Sequence, residues 1–271
     1  GAGATTRHDE VGEGGGGGRV ERKRRVRRDA LLDLAAELVE AHGVEGVTMA
    51  ALAEAADYAP ASLYTYFSSR SALLAALQQR ALATLGEVAR DHLAAWDAVL
   101  DADPGRDGEP PDRRARVHAL ARLLAFSELF LTAPEHHPRE FRLQQQLLVT
   151  PGAEDTADAA TVMPSAMAVL EIPRQLLAAA TDRGALDEHE QPTDPLGQPI
   201  DGNLLRTFAW VVAMNGALMV DSLRTGLPST GKALGEELTA TLLAGWGADP
   251  SELRTARELA AAMADATRRS G

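Results

Sequence analysis

Apolar side chains recur along this chain at three- and four-residue intervals, with few stretches of strict alternation, which is the pattern of amphipathic helices. Leu31, Leu34, Leu38 and Ala41 predict a first helix over residues 20–42. Gly43 suits a left-handed position after its end, and residues 44–47 read as a short connection. Thr48 is an N-cap for a second helix over 49–56, and Asp57, Tyr58 and Ala59 make a three-residue turn. Pro60, whose missing N–H costs nothing in a first helical turn, opens a short third helix that reaches Phe67. Ser68 and Ser69 offer caps to a fourth helix, whose Leu73, Leu77, Leu82, Leu85, Leu93 and Trp96 carry it to about residue 100.

Loops rich in Asp, Gly and Pro follow at 101–112, 150–161 and 181–202. Between and beyond them the periodicity predicts helices over 113–131, 138–149, 163–181, 203–225, 232–246 and 251–268. Pro173 should kink or split the 163–181 helix near Ile172. The fold class is therefore all-α, with about ten helices. Composition agrees, since Ala and Leu, both strong helix formers, dominate the apolar residues.

With no cysteine there are no disulfides, thiolate metal sites or cysteine nucleophiles, which fits a reducing cytoplasm. No stretch of about 18 apolar residues is free of charge, so no membrane span is expected. The opening segment lacks the apolar core of a secretory signal, and residues 1–18, ending in a glycine run, read as a disordered leader.

The formal charge of −12 argues on average against nucleic acid, yet its distribution argues the other way. Arg19, Arg22, Lys23, Arg24, Arg25, Arg27 and Arg28 face only Glu21 in the same stretch. Residues 19–80 come out near neutral, and the rest of the chain carries the negative charge. A basic arm on an acidic body can hold phosphates at one end while the other end repels them. A solvated helix start would look the same from charge alone.

Helix, short link, helix, three-residue turn and short helix within residues 20–67 is the layout of a helix-turn-helix unit. The residues sharpen it. Gly43-Val44-Glu45-Gly46-Val47-Thr48 leads to Leu52, Ala53 and Ala56, followed by Pro60-Ala61-Ser62-Leu63-Tyr64-Thr65-Tyr66-Phe67 and by Arg70, Leu73 and Leu74. From about residue 27 to 77 this closely resembles the TetR family of bacterial transcriptional regulators. The resemblance implies an N-terminal helix-turn-helix domain over 19–68, with the start of the fourth helix to about 77. A helical effector-binding and dimerisation domain would occupy 78–271. The chain departs from the family in its turn, where Asp57-Tyr58-Ala59 replaces the usual Gly-Val-Ser; Asp tolerates a left-handed turn. Arg70 stands for the usual lysine, and Ala50 and Ala51 occupy positions that read bases in some members.

Leu63 and Phe67, four apart, should face the core with Leu52. Ser62, Tyr64, Thr65 and Tyr66 then project around the other side, where hydroxyls can reach phosphates or base edges. Thr65 is the candidate for base contact, Tyr66 and Arg70 for phosphate, and Tyr64 for either, with packing against the first helix as its structural alternative. Thr48 caps the second helix and can also touch a phosphate. Arg24, Arg25, Arg27 and Arg28 are placed to reach phosphates or a neighbouring minor groove.

In the second domain, residues 208–220 are apolar all round, so both faces need burial, one against the protomer and one against a partner subunit. Leu234, Leu238, Leu242 and Leu243 could join that interface, and a central helix of a monomeric core is the alternative. Candidate effector contacts are Trp96, Phe126, Phe130, Met163, Met167, Trp210, Met214 and Asn215, apolar or aromatic residues with an isolated polar neighbour. Asn215 within an apolar run needs a hydrogen-bond partner, from protein or ligand.

Residues 226–233 fall one residue short of a phosphate-binding P-loop, because Ala233 follows Lys232 where Ser or Thr must hold magnesium. His136 and His137 are adjacent and diverge on a helix, so no metal site is expected. No nucleophile or metalloprotease motif is present, and no cofactor is implied. The expected function is a cytoplasmic homodimeric regulator, a repressor released from a near-palindromic operator by a small-molecule effector. The different-class alternative is a helical ligand-binding protein or enzyme without a specific DNA site. A third reading keeps DNA binding under the control of a protein partner.

Overall fold

The computed structural model describes residues 15–149, 156–188, 191–222 and 230–270. Among them are ten α-helices, two short 3₁₀ turns and no strand; one isolated bridge joins Thr193 and Pro199. The contacts divide the chain into two units, Gly1–Leu77 and Gln78–Gly271.

In the first unit α1 spans Gly15–His42. Residues 15–18, expected in the leader, are its first turn, because propagation from the helix-forming run behind them is far easier than nucleation. Residues 1–14 of that leader lie outside the described residues. The apolar stripe of α1 buries Leu31, Leu32, Ala35, Ala36 and Val39. Gly43 ends it at φ 70°, ψ 179°, a region that essentially only glycine enters, and its N–H donates to the Val39 carbonyl at 2.9 Å. A 3₁₀ turn at Val44–Gly46 leads to α2, Met49–Ala56, which packs on α1. Thr48 caps α2 by accepting from the Ala51 N–H at 3.0 Å.

After α2, Asp57 adopts φ 54°, ψ 45°, and Tyr58 N–H closes the turn on the Ala53 carbonyl at 2.9 Å. The next helix, α3, is shorter than the pattern predicts: its α-helical part is Pro60–Leu63. Beyond Leu63 the chain tightens, Thr65 bonding back to Ser62 and Tyr66 to Leu63, as helix ends commonly do. Ser69 then accepts from the Ala72 N–H at 3.0 Å and starts α4, Arg70–Asp101.

The second unit takes up α4 from Gln78 and adds α5 (Pro111–His136), α6 (Pro138–Val149), α7 (Thr156–Asp182), α8 (Gly202–Met219), α9 (Gly231–Gly245) and α10 (Pro250–Ser270). The centre is α5, which packs against α6, α7, α8, α9 and α10. This position explains why α5 alone among the described helices is long and apolar enough to pass for a membrane span: 56% of that window is buried inside the protein. Trp96, Leu120, Leu123, Leu177, Trp210 and Met214 fill the core. Within it Thr239 is a polar hub, its hydroxyl paired with Ser127 at 2.8 Å and accepting from Trp210 Nε1 at 2.9 Å. At one end Arg116 grips the buried Glu252 bidentately, with NH2 to Oε1 at 2.8 Å.

In the second unit α5 runs to His136, past the expected 131, and further differences from the sequence expectation lie in α7 and α8. Residues 156–162, expected in a loop, belong to α7, and residues 150–155 lie outside the described residues. Pro164 and Pro173 are inside α7, which is not split at Ile172; burial of Ile172 and Pro173 holds the turn where the proline bond is missing. Helix α8 stops at Met219 and tightens into the 3₁₀ turn Val220–Ser222 instead of running to 225. Residues 223–229, with the first half of the near-P-loop segment, lie outside the described residues.

Candidate DNA-reading surface and effector cavity

The first site is built on α2, the turn and α3. Leu52, Leu63 and Phe67 are buried together, so the opposite side of the short third helix faces outward. Ser62, Tyr64 and Thr65 are exposed there, Tyr64 with about half its surface in solvent, and Tyr66 is half-buried. Thr65 donates its hydroxyl to the Ser62 carbonyl at 2.7 Å, which fixes its rotamer and leaves the oxygen lone pairs and the methyl outward.

The arginines divide by role. Arg24 NH2 donates to the Thr65 carbonyl at 2.9 Å, so the arm of α1 is tied to the end of the third helix. Arg28 is half-buried with its guanidinium 5.0 Å over the Phe67 ring. Arg25 and Arg27 are exposed. Arg70 is turned inward, donating from Nε to the Val47 carbonyl at 2.6 Å and from NH2 to the Val44 carbonyl at 3.0 Å. Thr48 is exposed at the start of α2. The ten expected DNA contacts thus fall into an outward set and a set of struts, Arg24, Arg28 and Arg70, that shape the surface.

The second site lies wholly in the second unit. A cavity with about 1020 Å³ of empty space, part of it open to solvent, is walled by α4, α5, α6, α7 and α8. Leu82, Leu85 and Val88 come from α4, Phe126, Leu129 and Phe130 from α5. Phe141 of α6, Val169 and Ile172 of α7, and Phe208, Val211 and Val212 of α8 close the rest. The Phe130 and Phe141 rings meet edge to face at 5.6 Å, and Phe126 tilts against Trp210 at 5.4 Å. The wall is almost all hydrocarbon; His137 and Gln144 supply its long polar side chains.

Of the eight residues expected at an effector, Phe126 and Phe130 line this cavity. Trp96 and Met214 are in the packed core, and Trp210 is anchored to Thr239. Met163 and Met167 point to solvent from α7. Asn215 Nδ2 donates to the Val211 carbonyl of its own helix at 3.0 Å, while its Oδ1 is buried without a hydrogen-bond partner among the described residues. The apolar residues missed, among them Leu82 and Val169, carry no signal in one sequence, because a wall residue and a core residue have the same period. Gln144 was the one readable hint, an uncharged polar residue within an apolar helix face.

One face of α8 is buried, and the other leaves Leu205, Phe208, Val212 and Met219 at 54%, 41%, 54% and 44% exposure. These four lie at helical spacing on one side of the helix. Of the leucines expected to join a partner interface, Leu243 is in the protomer core, and Leu234, Leu238 and Leu242 are half-buried. Among the described residues no cluster of His, Cys, Asp and Glu could hold a metal ion.

A model of the N-terminal domain of bacterial regulatory proteins of the tetR family matches residues 31–77, from the buried face of α1 into α4. The fold resembles the fatty acid degradation regulator FadR from Bacillus halodurans, with a TM-score of 0.54 at 15% identity over 80% of this chain and 98% of that one. It also resembles the transcriptional regulator FadR from Bacillus subtilis in complex with stearoyl-CoA, at 0.52 and 13% identity over 79% and 97%. A protein of unknown function from Rhodococcus sp. RHA1 gives 0.51 at 21% identity over 81% and 94%. At these identities the likeness shows the fold. No curated protein matches the chain in sequence. Residues 31–77 thus match the N-terminal domain of the tetR family of bacterial regulatory proteins, and the all-helical fold of the described residues is like that of these solved structures.

Proposed function

We propose that this chain is a homodimeric DNA-binding repressor that leaves a near-palindromic operator when a small molecule fills the cavity of its second unit. The observation that carries the effector half is the cavity: a large, hydrocarbon-walled space in a helical unit attached to a helix-turn-helix is a binding site, since ordinary interiors are close-packed. The solved Bacillus subtilis relative, with its bound acyl-CoA, supports the same reading.

Two copies pair through the exposed side of α8, where Leu205, Phe208 and Val212 otherwise leave about half of their surface in water. Each copy then presents Tyr64, Thr65 and Tyr66 to one major groove, the two grooves about one helical turn apart. Phe208 and Val212 belong both to the cavity wall and to the exposed stripe. An occupant therefore presses on side chains that meet the second copy, and its different affinity for the two pairings shifts the population away from DNA. The chain does no chemistry of its own in this account.

The test is release from DNA. A selected duplex bound by the wild type and by Ala166→Trp, which fills the cavity from α7, is challenged with the same small-molecule collection. A compound that releases the wild type and not the variant bears the proposal out. Equal release from both would put the effector elsewhere, and no release of either would favour control by a protein partner.

A further inference from the structure

The cavity has a chemistry that narrows its occupant, on the reading that it is the effector site. Among the described residues no Asp, Glu, Lys or Arg lines it. A carboxylate or phosphate drawn inside would lose its water and meet no cation, a cost of several kcal/mol in order of magnitude. Charge is thus confined to whatever part of a ligand stays outside the wall.

One polar side chain of the wall has an unmet demand. The Oε1 of Gln144, on α6, is buried and has no hydrogen-bond partner among the described residues, while its residue lines the cavity. A buried carbonyl oxygen without a donor is destabilising, and most such groups in folded proteins are paired. Replacing Gln by Leu would keep the wall hydrocarbon and remove the penalty, so the amide has a use that packing does not explain.

We propose that the effector is an uncharged, largely hydrocarbon molecule carrying one O–H or N–H group, which donates to Gln144 Oε1 while the hydrocarbon lies against Leu82, Leu85, Phe130 and Val169. Gln144 selects for the donor, and the absence of charge in the wall selects against acids. A hydroxyl satisfies the amide whichever way its plane is turned, because it both donates and accepts.

Equilibrium dialysis of the full chain at pH 8.5 with 1-decanol, its isosteric ether 1-methoxynonane, and decanoate tests this. At that pH free imidazole is neutral and a carboxylate is charged. The wild type should bind decanol about five- to tenfold more tightly than the ether, the worth of one net hydrogen bond, and decanoate more weakly than either. In Gln144→Leu the alcohol's advantage should vanish with ether binding retained, which also shows that the variant is folded. Equal binding of alcohol and ether by the wild type, or decanoate as the tightest ligand, overturns this inference and leaves the effector site standing. If none of the three binds, both fall.

Discussion

Arg70 and Val47 are joined by a 2.6 Å hydrogen bond from the guanidinium Nε to the backbone carbonyl, and a second bond reaches Val44 at 3.0 Å. The first residue of α4 thus ties down the connection between α1 and α2, and so sets the angle at which α2 enters. The sequence suggested a phosphate contact for this side chain; its geometry gives it a part in building the domain.

Replacing Arg70 by Leu should therefore cost about 2 kcal/mol of stability, in the range for hydrogen bonds from a charged donor. Urea unfolding followed by circular dichroism reads this. In the same variant, the slope of log affinity for DNA against log salt should hardly change. A drop in slope of about one would mean that Arg70 holds a phosphate after all.

Asp57 is the one non-glycine residue with positive φ among the described residues, and its left-handed turn separates α2 from α3. Asp57→Gly should be neutral or slightly stabilising, while Asp57→Val should cost about 1–2 kcal/mol because a β-branched side chain collides with its own backbone there. Thermal melts of the two variants should separate in that order. Equal melts would remove the turn from the account.

The α8 stripe can be tested away from the cavity. Leu205 and Met219 are exposed on it and do not line the cavity. The double change Leu205→Glu, Met219→Glu should turn a dimer into a monomer in sedimentation equilibrium and leave the helical circular dichroism signal unchanged. Binding to a full inverted repeat should fall by at least tenfold, because linked half-sites no longer reinforce each other. A dimer that survives both charges would mean that another surface pairs the subunits.

Asp103, Glu109, Glu171 and Asp249 are all held below the ordinary carboxylate range, and they give the pH response a direction. Asp103 is held below its ordinary range chiefly by the hydrogen bond from His118 Nε2, at 2.9 Å. Glu171 is held at about 2 by the hydrogen bonds from Arg174 beside it. The fold favours both ionised forms, so their contribution is present above the ordinary carboxylate range and is withdrawn as pH falls toward 2. Both groups meet solvent, so the effect is modest. Melting temperature should decline between about pH 5 and 2, and the decline should be shallower in Glu171→Gln. An identical decline in the variant would contradict the assignment.

The N-terminal unit was legible because its signals are local. Leu63 and Phe67 sit four apart, Thr48 and Pro60 mark helix starts, and Asp57 can take a left-handed turn; each constraint acts within one or two turns of chain. The second unit was legible as helices and much less so as a site. Leu82 lines the cavity and Leu120 fills the core, yet both are leucines at helical spacing, and only the arrangement of five helices distinguishes them. Trp210 looked like a ligand contact because it is aromatic with a polar handle, and Thr239, 29 residues away, takes that handle. The start of α7 was hidden by the small, acidic run before Met163, and its continuity by Pro173, a local helix breaker overridden by burial.

The most direct measurement is a selection of bound duplexes from a random DNA library, run with the wild type and with Tyr64→Ala, Tyr66→Ala. The account expects enrichment of an inverted repeat with half-site centres about one helical turn apart, and its loss in the double variant. Binding that is salt-sensitive and without a motif, and equal in both proteins, would mean that the basic arm alone holds DNA and would contradict recognition through the third helix.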